Sequence, residues 1–382
     1  MSNDRRPLIV HVLFRLDYGG MENGIVNVVN GLPGDQFRHA IIALTEVTRF
    51  RERIKREDVE VHALHKRAGK DLGAYWRLYR LLCRLRPMVV HTRNIGTLDC
   101  AFMAWLAGVP VRIHGEHGWD VHDPDGTNRK YILLRRALNR FVSHFVTVSQ
   151  DLRNYLEQRV GIEPRKITHI CNGVDTARFA PRHVLPPIEL PSERFPAGCV
   201  VVGSTTRFNE IKDPLNLVQA FIALRRQPAG RPADVRLLMV GDGPLRASAM
   251  QLLREAGEEH SAWLPGSRDD IPALLRAMDV YVLGSLREGI SNTLLESMAT
   301  GIPLVATATG GNVELIAPGV MGALVPVADP PALMAALLPY VLDADLRRRQ
   351  GMAARERAER EYSLTRMLND YRTLYGSLTQ RA

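Results

Sequence analysis

Residues 180–214 read "APRHVLPPIELPSERFPAG" followed by "CVVVGSTTRFNEIKDP", and this junction decides the fold. The first part holds five prolines and little periodicity, the composition of a linker between folded units. The second part restarts as a β-branched run, then a loop with Arg207 and Lys212, then Pro214, suited to the first turn of a helix. Downstream, "VRLLMVGDG", "SAWLPG", "VYVLGS", "PLVAT" and "GALVPV" each precede a helical or helix-initiating segment. Upstream, seven short apolar runs show the same alternation: "LIVHVLF", "HAIIAL", "VEVHAL", "MVVHTR", "VPVRIH", "HFVTVS" and "KITHIC". Strands alternating with amphipathic segments predict parallel sheets covered by helices on both faces. The expectation is an α/β protein of two Rossmann-like domains, residues 1–182 and 183–360. A C-terminal helix, 361–382, is expected to pack back on the first domain. In such sheets ligands bind at the carboxyl ends of the strands, so the interest lies in those loops.

At 382 residues the chain is too long for one typical domain and comfortable for two. No stretch approaches the ~20 apolar residues of a membrane span, and the N-terminus lacks a signal-peptide pattern. The four cysteines are scattered without a C-x-x-C pair, which suits a reducing cytoplasm and predicts neither a disulfide framework nor a metal site. The net charge of +9 is uneven: residues 1–180 carry 28 Lys+Arg against 19 Asp+Glu, residues 181–382 carry 22 against 22. The excess includes "HKRAGKDLGAYWRLYRLLCRLRP" (65–87), a basic amphipathic segment that suits an anionic membrane surface or a solvated face packed on a core. No nucleic-acid module accompanies the charge.

The chemistry concentrates in "LREGISNTLLESMATGIPLVAT" (286–307). Glu288 precedes a helix and Glu296 lies inside it. Locally, Thr293-x-x-Glu296 has the spacing of a capping box, which would make Glu296 part of the helix start. Alternatively, Glu288 accepts from ligand hydroxyls while Gly289, Ile290, Ser291, Asn292 and Thr293 present amides at the helix start. Gly19-Gly20, in "DYGGMEN", form either a tight turn or an approach to an anion. Arg207 and Lys212 suit a diphosphate, as a planar fork and a point charge. "GDGPLR" fails the dinucleotide fingerprint because Arg246 stands at the third glycine, which argues against a nicotinamide dehydrogenase; the motif reads as a turn. His114, His117 and His122, with Glu116 and the Asp123-Pro124-Asp125 run, do not converge by spacing, so no metal site is expected. Cations for phosphate and carboxylates for hydroxyls describe a nucleotide-sugar site.

These motifs, with "NGVD" (172–175), "LPGSRDDIPALL" (264–275) and "TGG" (309–311), resemble the family-4 group of retaining glycosyltransferases with the GT-B fold, whose mark is E-x7-E. The resemblance spans nearly the whole chain. It implies that Glu288 contacts the transferred sugar and Glu296 the ribose of the nucleotide. Arg207 and Lys212 neutralise the diphosphate, with Gly19, Gly20 and Gly243 lining the donor site. His117 stands beside the sugar, with His114 as the alternative, and Ser267 and Arg268 meet the base. It implies no metal and no cofactor, a UDP- or GDP-sugar donor, and a saccharide acceptor. Residues 90–131 further resemble exosortase-associated exopolysaccharide transferases, which implies a lipid-linked acceptor at the inner face of the cytoplasmic membrane. The rival readings are a nucleotide-sugar epimerase and a non-catalytic membrane-associated assembly protein.

Overall fold

The computed structural model describes residues 4, 6–120, 123, 125–227 and 234–381. Two compact units result: residues 1–173 with 364–382, and residues 174–363. The chain passes between them at Gly173–Val174, ahead of the expected 182–183 boundary. The proline-rich stretch is therefore no free linker. It lies along the second unit, where Arg276 Nε donates to the Pro186 carbonyl at 2.7 Å and Arg194 Nη1 to that of Ala262 at 2.7 Å. Proline supplies no donor, so the stretch forms no sheet and is held by these arginine bonds and by local turns such as Val184 N to Pro181 O at 2.9 Å.

In the first unit the strands are β1 (Leu8–Leu13), β2 (Arg38–Ala43), β3 (Glu60–Ala63), β4 (Val89–Arg93), β5 (Val111–Glu116), β6 (His144–Thr147) and β7 (Ile167–His169). They form a parallel sheet in the order β3-β2-β1-β4-β5-β6-β7. In the second, β8 (Val200–Thr205), β9 (Val235–Val240), β10 (Ala262–Gly266), β11 (Val280–Leu283), β12 (Leu304–Thr307) and β13 (Gly322–Val325) run parallel in the order β10-β9-β8-β11-β12-β13. Every strand foreseen from the apolar runs is present. The order reverses between β1 and β4 and between β8 and β11, so each sheet opens a crevice at that switch point.

Burial on both faces explains the near-continuous apolar strands: all six residues of β1 and of β8 are buried. In the first unit, helix Leu364–Gln380 places Met367, Tyr371, Leu374 and Tyr375 against Ile9, Val28, Val89 and Ile113. It crosses helix Gly20–Gly31 at Gly31, where a Cβ would come within 2.4 Å of Leu368 Cδ1. Helix Leu72–Leu85, capped by Asp71, turns Leu78, Leu81 and Leu82 into the core. Its outer face shows Trp76 stacked on Tyr79, ring centroids 5.3 Å apart. Among the described residues no helix is long and apolar enough to cross a membrane.

Candidate active site

In the second unit the polar groups gather at the β8/β11 switch. Glu288 is buried, and its Oε1 accepts from Lys212 Nζ at 2.5 Å and from Ser285 Oγ at 2.7 Å. Lys212 arrives there because Asn209 Oδ1 caps the short turn Glu210–Lys212 at 3.1 Å. Asp213 then takes a left-handed conformation (φ 41°) before helix Pro214–Arg225 begins, which an Asp side chain tolerates. A backbone bond from Leu286 N to Ile211 O, 2.8 Å, ties the glutamate loop to the lysine loop. The β8 loop itself is pinned by "GDGP". A Cβ on Gly241 would meet Thr206 O at 1.9 Å, and one on Gly243 would meet Phe208 O at 2.5 Å. Gly243, expected to line the donor site, acts here as the close-packed support of the loop carrying Arg207. Arg207 is exposed, and among the described residues its side chain has no hydrogen bond or ion pair.

The "TGG" turn supports Glu288 in the same way. Gly310 has φ +49°, and a Cβ there would stand 1.8 Å from the Glu288 carbonyl oxygen. Gly311 N donates to Gly289 O at 3.0 Å. Gly310→Ala should therefore cost about 2–4 kcal/mol through a backbone clash and a strained φ. It should also weaken any ligand of Glu288; a melting temperature unchanged from wild type would contradict the packing described.

The capping-box reading of Glu296 does not hold. Helix Asn292–Thr300 is capped by Ser291, whose Oγ accepts from Leu294 N at 3.3 Å. Glu296 then lies a full turn past the cap, out of reach of its amide. Burial pushes the Glu296 carboxyl up to about 7, with Arg178 pulling weakly the other way. Between pH 4.5 and 7 the folded chain thus holds a proton that the unfolded chain has lost, so stability falls as pH rises through that window. Glu296→Gln should remove this slope, gaining about 2–3 kcal/mol on wild type at pH 8 and nothing near pH 4.5. Parallel denaturation curves at both pH values would show it; equal slopes would count against the desolvation of this half-buried carboxyl.

Ser267 and Arg268 are exposed. Arg268 is committed to Asp270 through two bonds of 2.9 and 2.7 Å, with its guanidinium 6.0 Å from the Trp263 ring centroid. Its side chain is thus held within its own loop.

In the first unit Gly19 and Gly20 stand at the start of helix Gly20–Gly31. A Cβ on Gly19 would meet the Glu22 carboxylate, Oε2 at 2.1 Å. This side chain folds back onto the helix start, where an anion is favoured. His117 lies just past β5. Its amide donates to Asn94 Oδ1 at 2.7 Å, and its buried Nε2 has no partner. Gly115 makes room for it: a Cβ would meet His117 Nε2 at 2.6 Å and His91 Nε2 at 3.1 Å. Burial, then the charges of Arg93 and His114, hold the His117 imidazole neutral, its pKa well below the usual histidine value despite Glu116.

His114 points elsewhere. It is fully buried, with Nδ1 2.8 Å from Thr92 Oγ1 and Nε2 3.4 Å from Glu116 Oε1. Glu116 is in turn gripped by Arg135 through bonds of 2.6 and 3.2 Å. Both Nε2 atoms lack a hydrogen-bond partner, but among the described residues only that of His114 has a carboxylate beside it. Asp123 Oδ1 accepts from Asn128 N at 2.9 Å, as in a turn; His122 and Pro124 lie outside the described residues. Among the described residues no group of three His, Cys, Asp or Glu could hold a metal.

Sequence reading missed Ser285, Arg178, Asn94 and Arg93. Arg93 is 2% exposed, with Nε and Nη1 unpartnered and Nη2 3.4 Å from His11 Nδ1. The available signal was period-two placement: Val89, His91 and Arg93 share one face of an otherwise apolar strand beside His11.

Two parallel-sheet units with polar groups at the strand ends define the GT-B class. A family model described as Glycosyltransferase Family 4 matches residues 18–178, and one described as Glycosyl transferases group 1 matches residues 198–343. The chain belongs to these glycosyltransferases. It is 31% identical to the N-acetyl-alpha-D-glucosaminyl L-malate synthase of Bacillus anthracis over 44% of its length and 43% of that protein. It is 30% identical to the UDP-Gal:alpha-D-GlcNAc-diphosphoundecaprenol alpha-1,3-galactosyltransferase of Escherichia coli, over 64% of its own length and 63% of the relative's. The fold also matches Anabaena HepE, solved in complex with UDP-glucose, with TM-score 0.79 at 19% identity over 97% of this chain and 100% of that one.

Proposed function

We propose that the chain transfers a sugar, with retention and without a metal, from a nucleotide-sugar donor to a saccharide acceptor in bacterial surface or exopolysaccharide synthesis. The observation that carries this reading is the convergence of Lys212 and Ser285 on Glu288 at the carboxyl ends of β8 and β11, beside the start of helix Asn292–Thr300. The HepE complex with UDP-glucose and the UDP-galactose substrate in the name of the E. coli relative support the donor class. That relative's diphosphoundecaprenol acceptor supports a lipid-linked one. The basic helix Leu72–Leu85 would then serve the membrane face.

On this reading the bond from the anomeric carbon to the diphosphate stretches first, leaving an oxocarbenium-like sugar. The acceptor oxygen bonds to the same carbon from the same face, and its proton passes to the departing diphosphate. Charge grows on the leaving group, where Arg207 and Lys212 would meet it; preorganised donors of this kind are worth ~10²–10³ in rate each. Glu288 would hold the sugar hydroxyls, His117 would act as a neutral hydrogen-bonding group toward the sugar, and Ser267 would meet the base.

Glu296 would take the ribose hydroxyls, which favour its ionised form. Nucleotide affinity should therefore rise about tenfold from pH 6 to pH 8 in wild type and stay flat in Glu296→Gln. Transfer is tested by following nucleoside diphosphate release from candidate donors in the presence of a bacterial lipid extract, with Glu288→Ala as the blank. Release indistinguishable from that blank for every donor would contradict the reading.

A further inference from the structure

The second unit carries a groove at the end of its strands opposite Lys212 and Glu288. It lies where the chain enters β11 and β12, is walled by helix Ala344–Glu361, and encloses about 930 Å³. That is the size of a small-molecule site. Its apolar surface is aliphatic, with Ile302, Pro303 and Met352, and no Phe, Tyr or Trp lines it.

Six arginines line the groove against three carboxylates. The carboxylates are already taken: Asp279 by Arg182 at 3.1 Å, Glu359 by Arg355 at 2.5 Å, and Glu356 by Arg360 at 3.5 Å. Arg276, Arg347 and Arg349 have no carboxylate partner among the described residues. Arg276 is the telling one. It is 8% exposed, its Nε donates to the Pro186 carbonyl, and its Nη1 is buried with no partner. A guanidinium taken from water without a counter-charge is costly, and an anion in the groove would supply what is missing.

We propose that this groove binds the phosphate headgroup of an anionic phospholipid at a bilayer surface. Arg276, Arg347 and Arg349 meet the phosphate, and the first part of the acyl chain lies over Ile302, Pro303 and Met352. Guanidinium forks suit phosphate geometry, and an aliphatic wall without rings suits an alkyl chain better than a nucleobase. The wall points to a bilayer as the source: Met352, which lines it, is 64% exposed, and Val184 and Leu342, next in sequence to or near lining residues His183 and Ala344, are exposed too. Exposed aliphatics beside arginines that lack a carboxylate partner are the composition of a membrane-contact surface. This site is separate from the donor site and does not rest on the donor reading.

The test is flotation of the full-length protein with phosphatidylcholine vesicles, with and without one-quarter phosphatidylglycerol. Wild type should bind only the anionic vesicles. Arg349→Glu with Met352→Asp should weaken that binding at least about 25-fold, since each cationic side chain at such a surface is worth about fivefold. Circular dichroism and donor binding at the opposite end of the strands would report that the variant is folded. Arg80→Glu with Arg84→Glu, on helix Leu72–Leu85, should leave the Arg349 effect in place. Short-chain phosphatidylglycerol should compete, and inorganic phosphate at the same concentration should not. Equal vesicle binding by the groove variant and wild type would overturn the proposal. So would equal competition by inorganic phosphate, which would mark a soluble-anion site.

Discussion

Glu288→Ala should lower sugar transfer by about 10²–10³-fold while leaving nucleoside diphosphate binding as strong as in wild type or stronger. The structure explains the opposite signs. Glu288 pairs with Lys212 at 2.5 Å, so on the proposed reading a diphosphate competes with this carboxylate for the ammonium. Removing Glu288 frees the cation and, on the proposed reading, deletes the acceptor for the sugar hydroxyls. Lys212→Ala should act the other way on the nucleotide, weakening diphosphate binding about 10–100-fold through loss of a charge-assisted bond. Calorimetry of the free diphosphate separates the two, because a merely structural ion pair would lose affinity alike in both variants. Parallel losses would remove Glu288 from the sugar and make the pair a loop staple.

The second large effect lies in the first unit. Glu116→Gln should destabilise it by about 3–5 kcal/mol, because Arg135 would be left buried without its counter-charge. Burial alone would raise the Glu116 carboxyl, but the charge of Arg135 and the help of His114 win and hold it well below the usual range. The pair's contribution is therefore present above pH 4.5, the ordinary value, and is lost on acidification toward the depressed one. The double variant Glu116→Leu/Arg135→Met should recover much of the loss, since apolar replacement of both partners removes the desolvation cost. Thermal unfolding of wild type, single and double variants checks it; a double variant no better than the single would show that packing, not charge, is at stake.

The two sheets were legible because each strand is a short β-branched run ending in loop chemistry, buried on both faces. The E-x7-E pair was legible too, although local spacing left the cap open. Only the position of Ser291 removes the capping-box alternative for Glu296, and nothing in "GISNTLLE" says which hydroxyl caps the helix. The proline-rich stretch misled because composition reports the lack of regular structure, not the lack of packing. Gly243, Gly310 and Gly311 were legible as turn glycines, but which backbone each packs against (Phe208, Glu288 and Gly289) is a tertiary fact. Arg268 was legible as a cation in the right loop, but its capture by Asp270 two residues on was overlooked. Arg93 and its histidines stayed hidden because polar residues in apolar strands gain meaning only when neighbouring strands are in register.

The most direct test of the donor reading is calorimetric titration of UDP-, GDP-, ADP- and TDP-sugars into the purified full-length protein in excess chelator. The account predicts saturable binding of one sugar nucleotide, weakened by Lys212→Ala and strengthened from pH 6 to pH 8. A folded protein that binds none of them, or binds only when a divalent ion is restored, would contradict it.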